Sequence, residues 1–348
     1  MFSAPNPRKF MEIASIISLM GASCARRRRL VRSAIVGFCM LVLCASVATA
    51  ENDIHSRSAI VIDASTDAIL YGFNLNLKLP PASTTKLMTA LVALEHLSPT
   101  DTTVVTENVE SVFPTKVGFK AGERVTVETL LVAALIKSAN DAAFALAEAA
   151  GGTEEHFVEM MNEKAATLGL ANTHFINATG LPGEGQFITA LDLAHLLRHA
   201  MDNQVIRDMV NSKVGHITTE KRGEISLSNT NKLLSYDESI LGGKTGYTRA
   251  ARHCLVFASH RGKTTIIAAL LGDDSRGRLW LDAEKLSDKG FAVLAGTEEP
   301  CVYVSMEDRP IVQAAYKKSV HANHKASGKS RKRQRRKSQE KPARGKTA

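Results

Sequence analysis

Apolar and polar positions along the chain predict strand pairs near both ends of its body, with helices between them. A β-branched run at residues 58–63 and an apolar run at 68–71 flank a turn-like segment and predict a hairpin over residues 57–74. Near the other end, residues 252–259 and 263–271 each fit a strand, and the short segment 260–262 joins them. Short strands are also expected around residues 104–105 and 125–127.

Helical patterns occupy the middle of the chain and its last apolar segment, at residues 84–97, 156–168, 189–201 and 279–294. The longest apolar pattern covers residues 127–150 and stops at a pair of glycines. Polar residues at 137–141 interrupt it. Buried polar groups need hydrogen-bond partners, so this break is either a turn between two helices, capped by Asn140 or Asp141, or part of a site.

Charge is distributed unevenly over the 348 residues, although the formal net charge is +9. Residues 1–50 carry seven basic residues and one acidic residue, and residues 317–348 carry thirteen and one. The intervening residues 51–316 carry 24 basic and 33 acidic residues, so the body is mildly acidic. This distribution does not indicate a body that binds nucleic acid.

The N-terminal segment has the pattern of an export signal. Arginines at 26–29 and 32 precede a short apolar run at 34–45, and Ala48-Thr49-Ala50 supplies a small-x-small cleavage pattern. We therefore expect residues 1–50 to be a signal peptide that is cleaved after Ala50, with the protein exported to the periplasm or cell envelope. An uncleaved anchor is the alternative. In an oxidising compartment Cys254 and Cys301 can pair, but their spacing does not decide whether they do.

The segment around Ser83 carries the first candidate chemistry. Pro80 and Pro81 hold the chain extended, and Ser83 then stands where a helix begins. Ser83 and Lys86 are three residues apart, so their side chains share one face of a helix. A lysine whose pKa is lowered by burial or by positive charge can take the proton of a serine nucleophile.

Two further polar clusters follow in the chain, namely Ser138-Ala139-Asn140 at the helix break and Lys244-Thr245-Gly246 before the second strand pair. The trio of Ser-x-x-Lys, Ser-x-Asn and Lys-Thr-Gly resembles the penicillin-binding proteins and serine β-lactamases. Within that superfamily the chain is most similar to the low-molecular-mass D-alanyl-D-alanine carboxypeptidases, over about residues 57–291. Two positions depart from the family pattern: Ala178 stands where proline is usual, and Arg252 stands where glycine is usual.

The resemblance implies an α/β (α+β) fold, with an antiparallel sheet flanked by helices, a mostly helical lobe and the site between them. It divides the chain into a signal peptide (1–50), a catalytic domain (51–300) and a basic tail (301–348). The tail has few apolar residues in its basic part, and we expect it to be disordered and to contact an anionic envelope surface. No metal or cofactor is implied.

The resemblance also implies roles for the residues of the first two motifs. Ser83 attacks the carbonyl between the last two D-alanines of a peptidoglycan stem peptide, and Lys86 accepts its proton. Ser138 relays protons between Lys86 and the leaving amine, and Asn140 hydrogen-bonds the substrate backbone. β-Lactam antibiotics are then covalent inhibitors that acylate Ser83.

The third motif is implied to bind the substrate. Lys244 raises the local positive potential, and with Thr245 it binds the terminal carboxylate. Gly246 lets an edge strand lie close to the substrate, and the backbone N–H groups of Ser83 and Tyr247 form the oxyanion hole. An arginine, either Arg276 or Arg278, also helps to hold the carboxylate.

Three alternative functions remain open at this point. A D,D-endopeptidase that cuts peptidoglycan crosslinks uses the same residues. A class A-like β-lactamase needs a further carboxylate, for which Glu184 is the nearby candidate. A non-catalytic envelope-binding protein would depend on the basic tail instead.

Overall fold

The central feature of the computed structural model, which describes residues 54–303, is a six-stranded sheet. Two smaller sheets of two strands each lie outside it. In chain order the strands are β1 (Ser58–Asp63), β2 (Ile69–Phe73), β3 (Thr102–Val104), β4 (Arg124–Thr126), β5 (Val214–Thr219), β6 (Gly223–Ser228), β7 (Ile240–Thr248), β8 (Arg252–Arg261), β9 (Thr264–Asp273) and β10 (Cys301–Tyr303).

Within residues 54–303, seven of the nine α-helices lie between β2 and β5. In chain order they are α1 (Lys86–His96), α2 (Glu107–Ser111), α3 (Val127–Val132), α4 (Asn140–Gly151), α5 (Glu154–Thr167), α6 (Ala190–Ala200), α7 (Gln204–Asn211), α8 (Leu233–Tyr236) and α9 (Arg276–Leu294). A 3₁₀ turn, Ala82–Thr85, precedes α1, and a π-helical turn, Ala133–Lys137, follows α3. None of the helices within residues 54–303 is long and apolar enough to cross a bilayer.

The large sheet has the order β10-β2-β1-β9-β8-β7, and β7 forms one of its edges. All neighbouring strands are antiparallel except β10, which is parallel to β2. This arrangement confirms the two predicted hairpins, the predicted short strands and the antiparallel sheet of the expected α/β fold. β10 lies just beyond residue 300, so the sheet extends past the expected end of the catalytic domain.

Both faces of the sheet are buried because the chain covers each with helices. Ile60 and Ile62 of β1 pack into the larger core with α1, α4 and α6, which includes most of the helical lobe. Ala59 and Val61, which alternate with them, face a smaller core formed with α9. Side chains alternate across a strand, so a strand covered on both faces is apolar at successive positions.

The interruption of the long helical pattern is a sharp turn, as one of the two sequence interpretations requires. Ser138 has a left-handed backbone with φ 66°, and α4 begins directly after Ala139. The expectation that Asn140 or Asp141 caps the second helix was wrong, because the N-cap is Ala139 and it makes no side-chain capping bond. The Asn140 and Asp141 side chains instead hydrogen-bond outside the helix.

The segment from 204 to 248 was the part of the fold that the sequence analysis did not resolve. It contains α7, the β5–β6 hairpin, α8 and the edge strand β7. The Lys244-Thr245-Gly246 motif precedes the predicted strand pair, as expected, and it lies in a further strand, β7, that pairs with β8. Gly242 has a φ of 137° beside a register shift, which explains why the start of this strand lacked a clear β pattern.

Cys254 and Cys301 do not pair, and both are free thiols. Cys254 lies on β8 and Cys301 on β10, with three strands between them in the sheet. Neighbouring strands are about 4.8 Å apart, which places the two residues well beyond the reach of a disulfide. The expected signal peptide and most of the expected tail lie outside the described residues.

Candidate active site

Ser83 and Lys86 meet at the start of α1. The 3₁₀ turn Ala82–Thr85 carries Ser83, and the helix proper begins at Lys86. The Nζ atom of Lys86 donates to Ser83 Oγ at 3.1 Å. Ser83 is partly exposed, whereas Lys86 is completely buried. The predicted proximity of the Ser83 hydroxyl to a buried lysine amine is therefore present in the structure.

Two oxygen acceptors hold Lys86 in place besides Ser83. Its Nζ atom donates to Asn140 Oδ1 and to the carbonyl of Thr179, each at 2.7 Å. Burial lowers the pKa of Lys86 well below its ordinary value, and the positive charge of Lys244 lowers it further, against the opposing carboxylate of Asp141. A lysine in these surroundings gives up its proton more readily than an exposed lysine, as a general base requires.

Ser138 lies against Lys244 rather than Lys86. Lys244 Nζ donates to Ser138 Oγ at 2.8 Å and to the carbonyl of Thr245 at 3.1 Å. Among the hydrogen bonds of residues 54–303, none joins Ser138 to Lys86. Lys244 is buried, and burial lowers its pKa to about 7.

The edge strand β7 runs beside the Ser83 turn. A Cβ atom added to Gly246 would lie 2.9 Å from Ala82 Cβ and 3.0 Å from the backbone nitrogen of Ser83. Glycine is therefore required for this close approach. Thr245 Oγ1 donates to Thr230 Oγ1 at 2.7 Å. Tyr247 is half exposed, with its ring centroid 4.5 Å from that of His253.

These elements enclose a cavity of about 210 Å³ that contains the Ser83 side chain. Its walls come from the Ser83 turn, the Ser138 turn, β7, the start of β8 and the first turns of α9. Of the two arginine candidates, Arg276 lines the cavity. Arg278 lies 3.8 Å from carboxylate oxygens of Asp273 and Asp274 instead.

The loop at residues 177–181 lies against Lys86. Asn177 Oδ1 accepts hydrogen bonds from the backbone nitrogens of Thr179 and Gly180, which aims the Thr179 carbonyl at Lys86. Gly180 has φ 82°, and an added Cβ atom would lie 1.8 Å from the Ala82 carbonyl oxygen. No pattern in the sequence points to Thr179, because a backbone carbonyl acceptor has no residue signature.

Comparison with known proteins decides the family. The family model described as D-alanyl-D-alanine carboxypeptidase, peptidase family S11, matches residues 45–275. The chain belongs to this family. It is thus a serine-type D-alanyl-D-alanine carboxypeptidase, which confirms the resemblance, the fold and the activity expected from the three motifs.

Individual relatives agree with this family. The D-alanyl-D-alanine carboxypeptidase DacF of Bacillus subtilis is 32% identical over 277 residues, covering 76% of this chain and 71% of its own length. A D-alanyl-D-alanine endopeptidase of Escherichia coli is 30% identical over 266 residues, covering 72% of this chain and 85% of its own. The crystal structure of a D-alanyl-D-alanine carboxypeptidase from Mycobacterium tuberculosis has 36% identity and a TM-score of 0.66, covering 69% of this chain and 92% of that one.

The two departures from the family pattern lie outside the walls of the cavity. Ala178 is buried below it, and Arg252 pairs with the exposed Asp274. Glu184, the candidate carboxylate for a β-lactamase, is exposed and does not line the cavity either. Its position gives no support to the β-lactamase alternative.

Proposed function

We propose that Ser83 is the nucleophile of this carboxypeptidase and that Lys86 is its general base. The observation that carries the proposal is the 3.1 Å hydrogen bond between Ser83 Oγ and the buried Nζ of Lys86, whose pKa burial lowers. Lys86 takes the proton as Ser83 Oγ bonds to the carbonyl carbon between the last two D-alanines. The backbone nitrogens of Ser83 and Tyr247 receive the oxyanion.

The leaving D-alanine takes its proton through the second pair of side chains. Ser138 Oγ contacts Lys244 Nζ at 2.8 Å, so a proton can pass between this pair and the leaving amine. Asn140, which accepts from Lys86 Nζ, fixes the base and meets the substrate backbone. Water then cleaves the ester: its OH bonds to the carbonyl carbon, its remaining proton restores the Ser138–Lys244 pair, and Lys86 gives back to Ser83 Oγ the proton that it took.

The substrate is a peptidoglycan stem peptide, and its terminal carboxylate binds where the cavity is positively charged. Thr245 of β7 and Arg276 of α9 line that site, and Lys244 lies buried next to it, against Ser138. β-Lactams present a carboxylate beside a reactive carbonyl, so they acylate Ser83 in the same place. The relatives include one described as an evolved homologue of a penicillin-binding protein.

The deciding measurement is D-alanine release from a peptide that ends in D-Ala-D-Ala, with labelling by a fluorescent penicillin in parallel. The protein should do both, and Ser83→Ala should do neither while retaining its thermal unfolding midpoint. D-Alanine release by Ser83→Ala would refute the assignment of the nucleophile. A folded protein that neither releases D-alanine nor accepts the label would favour the non-catalytic envelope-binding alternative.

We further propose that the catalytic domain runs from residue 51 to about Tyr303 and that it works outside the cytoplasm. The support is the export pattern before residue 51 and the sheet strand that ends at Tyr303. Sequencing the N-terminus of the exported protein tests cleavage after Ala50. The envelope contact is tested by sedimentation with lipid vesicles. The basic tail should sediment with anionic vesicles and should not sediment with neutral ones.

A further inference from the structure

The charged side chains that line the catalytic cavity are basic. Lys137 comes from the end of the π-helical turn Ala133–Lys137, and Arg276 comes from the start of α9. No carboxylate of residues 54–303 is among the lining side chains. The body as a whole is mildly acidic, so the cavity has a charge opposite to that of the protein around it. The cavity therefore favours ligands that carry negative charge.

Only one of these two cations has a role in the proposed function. Arg276 receives the terminal carboxylate of the peptide together with Thr245. Lys137 is exposed, and its amine has no hydrogen bond or ion pair with any residue between 54 and 303. A lysine at the end of a helical turn is commonly a solvated surface residue. Lys137 differs from that case because it is part of the wall of the catalytic cavity.

The backbone that carries Lys137 is fixed beside the substrate-binding strand. The carbonyl of Ile136 accepts a hydrogen bond from the backbone nitrogen of Thr230 at 3.2 Å, and Thr230 Oγ1 accepts from Thr245 Oγ1 of β7 at 2.7 Å. The residue after Lys137 is Ser138, which contacts Lys244. The lysine amine is therefore tethered next to the groups that the proposed function places around the scissile bond.

The part of the substrate upstream of the two D-alanines is the part left to meet Lys137. Both D-alanines have methyl side chains, and the terminal carboxylate already lies at Thr245 and Arg276 in the proposed function. The preceding residue is the next one within reach, because an extended peptide advances only about 3.3 Å per residue. A long side chain on that residue, ending in a carboxylate, supplies the second negative charge.

We propose that Lys137 is a specificity-determining residue that pairs with a side-chain carboxylate on the residue preceding the two D-alanines. This inference rests on the proposed function and adds to it a preference for peptides that are anionic at this position. The pair is exposed to solvent, and exposed ion pairs change an equilibrium by up to about fivefold. Salt screens such a pair, so the preference should decrease toward one at an ionic strength of about 1 M.

The test uses three acetylated peptides that end in D-Ala-D-Ala and differ in the side chain of the preceding residue, which is α-aminoadipic acid, its side-chain amide or lysine. We expect kcat/KM for D-alanine release to be about fivefold higher for the carboxylate than for the amide, and lowest for lysine. Lys137→Met should bring the carboxylate-to-amide ratio to about one, and Lys137→Arg should preserve it. Lys137→Glu should make the lysine peptide the preferred substrate.

Lys232→Met is the matched control, because Lys232 is exposed two residues from Thr230 and does not line the cavity. A merely structural effect of Lys137→Met would lower both rates and leave their ratio unchanged. An unchanged ratio in Lys137→Met, an equal change in Lys232→Met, or no preference in the unsubstituted protein would overturn the role of Lys137 alone. Failure of the folded protein to release D-alanine from all three peptides would overturn the proposed function instead.

Discussion

Glu154 Oε1 accepts a hydrogen bond from the backbone nitrogen of Ala178 at 3.0 Å. Burial raises the pKa of this half-buried carboxyl, and the hydrogen bond opposes that rise. The Ala178 carbonyl accepts from Thr89 Oγ1 at 2.6 Å, and the next carbonyl, that of Thr179, accepts from Lys86. Glu154 thus fixes the loop that holds the Lys86 amine, and it does so through a backbone N–H that the proline usual in the family does not have.

We therefore expect Ala178→Pro to lower the free energy of unfolding by about 1 kcal/mol, because it leaves the Glu154 carboxylate without its donor. Chemical denaturation of Ala178→Pro, Glu154→Ala and the double variant measures the coupling between the two positions. In the Glu154→Ala background, Ala178→Pro should lower the free energy of unfolding by less, or should raise it. Equal effects of Ala178→Pro in both backgrounds would show that the hydrogen bond contributes nothing.

The pH dependence of activity should follow Lys244, whose pKa burial lowers to about 7. Below that pH Lys244 is an ammonium group that attracts the substrate carboxylate, and it loses this charge as the pH rises. We expect kcat/KM to fall by up to about tenfold per pH unit above pH 7, until binding without the charge sets a floor.

Lys244→Arg isolates the contribution of the Lys244 charge, because a guanidinium group keeps its charge between pH 7 and 9. The variant should have lower activity at pH 7 but no descending limb between pH 7 and 9. Thermal unfolding at each pH separates titration from loss of structure. An unchanged descending limb in Lys244→Arg would assign that limb to a group other than Lys244.

The three motifs were predictable from the sequence because each is a local spacing that a short element presents as a unit. Ser83 and Lys86 meet because a 3₁₀ turn leads into a helix, which sequence spacing describes well. The contact of Ser138 with Lys244 was not predictable, because 106 residues separate them and their meeting depends on tertiary packing. Asp141 was taken for a cap, although it accepts from three backbone nitrogens between 117 and 119.

The second cavity of the protein, which is lined by α8, the start of β7 and α9, also had no signature in the sequence. Trp280 was predicted only as part of an apolar helix, and Tyr236 lies in a stretch for which no element was predicted. Their exposure depends on how α8, β7 and α9 are arranged around the sheet edge. Hydrophobic periodicity reports which residues can be buried, and it does not report where a large apolar residue stays exposed.

Gly246 should be intolerant of even one added carbon. An alanine there places its Cβ atom 3.0 Å from the Ser83 nitrogen, so the turn must move away from β7. Displacing one oxyanion donor lowers kcat by about 10²–10³, and we expect Gly246→Ala to lose activity in that range. Gly277→Ala is a matched control, because its Cβ atom would meet nothing closer than 3.8 Å. Full activity in Gly246→Ala would argue against the Ser83 nitrogen as a donor.

Arg252 occupies a backbone conformation that suits the glycine usual in the family. Its φ is 59°, in the left-handed region, and its guanidinium pairs with the exposed Asp274. Exposed ion pairs contribute about 0–1 kcal/mol, whereas a side chain in the left-handed region costs about 1–2 kcal/mol. The backbone conformation, rather than the ion pair, should therefore decide which small residue is preferred here.

Arg252→Gly and Arg252→Ala both lack the ion pair, so the difference between their free energies of unfolding reports only the backbone effect. We expect the glycine variant to be the more stable by about 1 kcal/mol in chemical denaturation. The same pair of substitutions at Arg249, which is exposed and has no positive φ, should favour alanine because glycine gives the unfolded chain more freedom. If alanine proved the more stable at both positions, Arg252 would be unstrained, and the departure from glycine would carry no conformational cost.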